Sequence, residues 1–390
     1  MKDSPTSDPA LRAATMGETE TAGKPVGLTI RSIIVGFIII VPAVFWGVYA
    51  DVVSQTDLTS TSLMMPPILA LLVLVIANAS IGKKFPRLKF TQREMITVYI
   101  MVSVSVVLSG MGLLQFLSTT IGAVPHFMTP ENKWQDFLNY VPKWLLPQPN
   151  SVLDGFYKGD SPIPWYAWWR PCLIWSGFFF ALVFCMLCIN VIIRKQWMDR
   201  ERLTFPIVYL PLEMTDPKSG FFRNRLMWTG FAIAAGLELM NGLNYIYPSV
   251  PHVQLRAYNI SPFFAVNKPW NAVGSVWTTF YPLAIGLGFL LSTDVSFSCW
   301  FFFLLTKVQS IITVASGWTA GPAAVSQPPY LAQQGAGAFF GIVIMVVWLA
   351  RKHLKDVVLK AFTKAPEIDD SGEPLGYRTA TFGLLLALAL

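Results

Sequence analysis

A few ionisable and amide side chains lie inside long apolar runs of this 390-residue chain. Each is costly there, because a charge at mid-bilayer costs roughly 2.5–3.5 kcal/mol on insertion scales. Glu238, Asn241 and Tyr245 belong to one such run, and at about 100° per residue they share a helical face. Ala234, Ala235 and Gly242 flank that face, and small residues let a neighbouring helix or a solute approach closely. A carboxylate beside an amide and a phenol suits a proton or cation site. The plainer role for Glu238 is a protonated carboxyl bonded to an adjacent helix. Lys307 stands near the middle of another apolar run, with Ser310 on about the same face. Its ammonium can pair with a carboxylate such as Glu238, receive an anionic group, or snorkel to the interface. These five residues are the candidate substrate- or ion-binding groups. Asp294, in Ser292-Thr293-Asp294, suits a helix N-cap better.

Two segments look like broken membrane structure. The stretch 203–214 is apolar, holds two prolines and is too short to span; basic residues flank it on both sides. Leu203, Thr204, Phe205, Pro206 and Glu213 are its candidate broken-helix residues, in a re-entrant element or in a strip lying on the membrane. Irregular backbone at membrane depth is tolerated only where protein buries it or it lines a water-filled cavity. The second segment, 317–335, has no charge and many Gly, Pro and Gln residues. It offers backbone and amide groups to a solute, or is an ordinary loop.

The run Glu201-Arg202-Leu203-Thr204-Phe205-Pro206 is similar to the L-T-[FY]-P run of the oligopeptide transporter family, and to bacterial multi-span proteins carrying E-R-L-T-F-P and then P-L-E-M. The matching stretch ends at Met214, and only Leu203 to Pro206 carry over. After Pro206 the family run becomes rich in small residues, whereas this chain continues Ile207-Val208-Tyr209-Leu210. The resemblance implies a secondary transporter of peptides or metal chelates, commonly proton-coupled.

The elements that must position these groups are apolar blocks. Hydrophobic residues make up 54% of the chain and charged ones 13%, against about 25% charged in a soluble domain. In lipid only a helix or a closed barrel satisfies its own backbone. The pattern predicts an all-α, polytopic integral membrane helix bundle. Eight spans are expected at about 30–50, 63–81, 95–117, 172–193, 226–246, 276–291, 297–318 and 335–350. A ninth begins near 379 and runs off the end, as in an N-terminal fragment. The domain reading is a disordered tail 1–27, a bundle 28–364, a linker 365–378 and the truncated ninth span 379–390.

Most of the 29 Lys and Arg residues fall on one side of this topology, which predicts a cytoplasmic N-terminus for a multi-pass protein, and the resemblance to bacterial multi-span proteins implies the bacterial inner (plasma) membrane. The net charge of +7 is then an anchor facing anionic lipid rather than a nucleic-acid surface. Two long outside loops, 118–170 and 247–275, are rich in aromatic residues and suit an interfacial belt. Thr91-Gln92-Arg93-Glu94 reads as a capping box opening the third span.

No cofactor or metal is expected: Cys185 and Cys188 lie in an apolar run as small packing groups, and there are only three histidines. The expected partners are the lipid bilayer, a small-molecule substrate and a coupling proton. The leading function is a secondary active transporter, since the ATP-binding pattern G-x-x-x-x-G-K-[ST] does not occur. The alternatives are a membrane-embedded transferase on a lipid-linked substrate and a non-catalytic assembly subunit. For the transferase, Asp154 and Asp160 with His126 and His252 would supply an external acid/base site.

Overall fold

Long apolar runs close their backbone hydrogen bonds internally, and about 20 helical residues cover the roughly 30 Å hydrocarbon core of a bilayer. The computed structural model describes residues 28–53, 65–110, 113–149, 151–159, 161–201, 206–255, 257–319, 327–363, 365 and 367–389. The expected tail 1–27, the candidates Leu203, Thr204 and Phe205, and Asp160 lie outside the described residues, as does the side chain of Pro206.

In chain order the helices are α1 (Ile30–Val52), α2 (Met65–Lys84), α3 (Gln92–Ser109), α4 (Leu114–Ile121), α5 (Ala123–His126), α6 (Trp134–Leu138) and α7 (Ser151–Lys158). They continue as α8 (Trp165–Lys195), α9 (Pro206–Thr215), α10 (Arg225–Ile246), α11 (Pro282–Leu290), α12 (Thr293–Ala315), α13 (Leu331–Thr363) and α14 (Tyr377–Ala389). Two-residue strands, β1 (Tyr258–Asn259) and β2 (Trp277–Thr278), form an antiparallel pair between α10 and α11. Among the described residues, seven helices are long and apolar enough to cross a membrane, those starting at Ile30, Met65, Gln92, Trp165, Arg225, Thr293 and Leu331. The all-α class holds. One expected span is not a continuous helix: the run 276–291 forms only the nine-residue α11, preceded by β2 and an extended stretch. The signal was local, because Tyr281 precedes Pro282 and the residue before a proline is pushed out of the helical region.

The chain divides into two compact units, Met1–Thr120 with Leu210–Phe221, and Ile121–Tyr209 with Phe222–Leu390. In the first, Val98, Val102 and Val106 repeat every four residues along α3 and bury a ridge against Leu71 and Leu74 of α2 and Ala43 of α1. Gly36 lets α1 approach α3, since a Cβ there would lie 2.6 Å from the Met101 sulfur. The expected capping box is present: the Thr91 hydroxyl accepts from Glu94 N, and the Glu94 carboxylate accepts from Thr91 N at 2.8 Å. The same carboxylate accepts from the Thr29 hydroxyl at 2.8 Å and from Arg31 at 2.8 Å. Arg31 also donates to the carbonyls of Leu88 and Lys89 and stacks on the Phe90 ring. Asn78 adds a two-way pairing with the Phe90 backbone, so the turn after α2 is tied on both sides.

The core of the second unit joins α8, α13 and α14 through Val191, Ile192, Val357, Tyr377 and Ala380. His353 Nε2 lies 2.7 Å from the Ile192 carbonyl, so α8 and α13 meet near their C-terminal ends. The acidic turn before α14 is pinned to the end of α8: Arg194 pairs with Glu373 at 3.0 Å, and Lys195 donates to the Asp369 carbonyl at 3.2 Å. The expected linker 365–378 therefore includes a docked turn. α14 then runs back along α8, with Gly383 against Phe184 and Cys188. Cys185 and Cys188 are buried free thiols.

Candidate functional site

The side-chain amide of Asn241 is engaged in both directions, donating to the Val253 carbonyl at 2.9 Å and accepting from Val253 N at 2.9 Å. Asn244 donates to the Val250 carbonyl at 2.6 Å. These amides fold the segment after α10 back onto its last turns, so Asn241 is a structural tie in this arrangement. No residue of α10 is buried; Glu238 is exposed and Tyr245 is 91% exposed. Glu238 has no hydrogen bond or ion pair among the described residues. It stands eight residues, about 12 Å, before the end of α10. The shared helical face is real, but its three polar groups do not form one bonded cluster.

Lys307 does not pair with Glu238. Its Nζ donates to the carbonyls of Val273 at 2.9 Å and Ser275 at 3.1 Å, and sits 5.3 Å from the Phe303 ring centroid. Those carbonyls belong to the end of a 3-10 turn, Trp270–Val273, that packs against α12. Gly274 lies between them with φ 64° and ψ −152°, a backbone region essentially confined to glycine. That conformation is compatible with carbonyls 273 and 275 both serving one ammonium. Ser310, the other candidate on α12, is buried and donates to the Thr306 carbonyl, which satisfies its hydroxyl within the helix. The expected cap at the start of α12 falls to Ser292, which accepts from Val295 N, while Asp294 occupies the first turn.

Lys307 lies eight residues, about 12 Å, from the C-terminal end of α12. Irregular backbone is therefore docked on a side chain that starts inside the helix ends. From there the chain must return to Thr293, about 21 Å back along α12. It does so through residues 276–281 and the nine-residue α11, about 13 Å long. Backbone bonds from Ile260 N to the Val276 carbonyl and from Phe280 N to the Leu255 carbonyl hold the first part of this path. On the far side of Lys307, Gln334 of α13 donates to Gln309 of α12 at 3.0 Å.

The 203–214 candidate resolves into α9 from Pro206 onward. Met214 and Thr215 are buried, and Gln92 donates to the Leu212 carbonyl at 3.2 Å. Glu213 is exposed, and its side chain takes no part in these contacts. Of the four groups proposed for external acid/base chemistry, the structure joins two: His126 Nδ1 lies 3.4 Å from Asp154 Oδ1. The His126 ring stacks on Tyr157 at 4.4 Å, and burial pushes the Tyr157 phenol up from its ordinary value. His252 is exposed and remote in sequence, with no bonded partner among the described residues. No cluster of three or more His, Cys, Asp or Glu residues fit to hold a metal occurs among the described residues.

Sequence reasoning missed the carbonyl partners of Lys307. Their only signal was Gly274 in a loop rich in Pro, Asn and Gly. The chain belongs to a family of unknown function, DUF6785, whose model matches residues 22–390. That match is not to the oligopeptide transporters that the Leu203–Pro206 stretch resembles. No curated protein and no solved structure matches the chain significantly.

Proposed function

We propose that this member of the DUF6785 family is a secondary active transporter of a small organic solute, coupled to protons, in the bacterial inner membrane with its N-terminus cytoplasmic. One observation carries the reading. The irregular backbone at 270–275 gives two carbonyls to Lys307, eight residues inside the C-terminal end of α12, and a half-length helix follows it; such backbone at membrane depth calls for a protein-buried or water-lined setting. Discontinuous helices near the midplane are the usual place where transporters bind solutes and ions. The sixth crossing is then made by α11 and its extended flanks. Glu238, an exposed carboxylate on a spanning-length helix, is the coupling group, since an intramembrane ionisable residue calls for a functional partner. The resemblance at 203–206 favours peptides or metal chelates as solutes.

The test is water access along the broken crossing. Gly286 of α11 and Gly341 of α13 both have open space where a Cβ would sit, so cysteine fits either position without a clash. With Cys172, Cys185, Cys188 and Cys299 replaced, Gly286→Cys should react with a charged, membrane-impermeant thiol reagent. Gly341→Cys, on a continuous helix of spanning length, should react at least tenfold more slowly. Equal inertness of the two positions would remove the water-lined path.

The His126–Asp154 contact favours a second reading, a membrane-embedded transferase, because a carboxylate orienting an imidazole is a common acid/base arrangement. Under that reading Asp154→Asn abolishes activity. Under transport it leaves uptake unchanged.

A further inference from the structure

Three features converge on the Lys307 ammonium. The carbonyl oxygens of Val273 and Ser275 accept from it at 2.9 and 3.1 Å, and the Phe303 ring stands 5.3 Å from it. An ammonium has three N–H donors, and carbonyl acceptors with an aromatic face match its hydrogen bonding and its charge. In the same turn, the side-chain oxygen of Asn271 is buried with no hydrogen-bond partner. A buried acceptor left unpaired costs about 1–3 kcal/mol, so the turn carries one acceptor more than the described residues supply with donors. Gly274 holds a glycine-only conformation between the two carbonyls although nothing lies within 4 Å of its Cβ position. The glycine therefore serves the backbone path, not a close neighbour.

We infer that this carbonyl turn is a binding site for a primary ammonium group, held in this structure by the Lys307 side chain, and that the ammonium of a transported solute takes its place. Lysine suits position 307 because its four-carbon stem carries a compact, three-donor cation from α12 to the turn. The site's chemistry rests on the contacts alone. Only the step from ammonium site to solute class rests on the transport reading, and it narrows that class to compounds with a free primary amine, as in peptides with an unblocked N-terminus.

The experiment is chemical rescue of the purified full chain in detergent. Lys307→Ala removes three carbons and the nitrogen, the volume of n-propylammonium. The variant should melt several degrees below the parent, and millimolar n-propylammonium chloride should restore at least half of that drop with saturable dependence. Tetramethylammonium, which has no N–H, and sodium chloride at the same ionic strength should restore almost nothing. Equal recovery with all three salts, or no recovery with any, overturns the site. Should Lys307→Ala fail to fold, Gly274→Ala with the lysine in place gives an independent readout. It displaces the carbonyls, so Lys307 should be acylated by an amine-reactive reagent at least fivefold faster than in the parent. An unchanged rate overturns the site. Rescue with no solute uptake by the parent protein would keep the ammonium site and reject the transport reading. Uptake without rescue would do the reverse.

Discussion

Replacing Glu94 by alanine should lower the stability of the first unit by about 2–3 kcal/mol, seen as a fall in melting temperature by tryptophan fluorescence in detergent. The Glu94 side chain is 9% exposed and accepts from the Thr29 hydroxyl, the Arg31 guanidinium and the Thr91 backbone N–H and hydroxyl. Removing it leaves the starts of α1 and α3 without their common acceptor. It also removes half of the capping box of α3, where a cap is worth about 1 kcal/mol. Cutting one partner of a fully buried ion pair costs about 3–5 kcal/mol. The Arg31 side chain is 36% exposed, so water recovers part of its charge and the lower figure applies. Glu94→Gln keeps an acceptor without the charge and should fall between. An alanine variant that melts with the parent would show that this network does not hold α1 to α3.

The second large effect is expected at Gly383, where α14 crosses α8. A Cβ there would stand 2.9 and 3.0 Å from two ring carbons of Phe184 and 3.1 Å from the Cys188 sulfur. Both neighbours sit on the same helix, and Cys188 is fully buried, so neither gives way freely. Gly383→Val should therefore cost about 1–3 kcal/mol by overpacking and loosen α14 from α8. The readout is faster hydrogen exchange of the α14 amides, with the α1–α3 amides unchanged. Gly383→Ala is the milder control, because alanine's better helix propensity, up to about 1 kcal/mol over glycine, offsets part of the clash. Unchanged exchange in the valine variant would mean that this contact does not hold the helix.

The helical class was legible because lipid-compatible runs are long and blocky, and so was the capping box, whose four letters carry their own bonding pattern. The face shared by Glu238 and Asn241 was legible from the 3.6-residue period. Its use was not: Asn241 binds Val253, 12 residues on, and that return is a property of the folded loop. The same holds for Arg31 and Glu94, 63 residues apart. Composition alone took 276–291 for a continuous helical span, because its apolar count is right. The β-branched and aromatic letters Val276-Trp277-Thr278-Thr279-Phe280-Tyr281 before Pro282 argued for extended backbone there. Lys307 was placed correctly on its helix, but its partner was sought among carboxylates. Backbone carbonyls are present at every position and leave no mark in a sequence, so only Gly274 hinted at them.

The transport reading stands or falls on solute flux. The full chain, purified and reconstituted into liposomes, should accumulate at least one primary-amine solute from a panel of di- and tripeptides and metal chelates. An inward proton gradient should raise the initial rate severalfold, and Glu238→Gln should abolish that gradient dependence. Verified insertion with no solute of the panel exceeding protein-free liposomes, with or without the gradient, would contradict it.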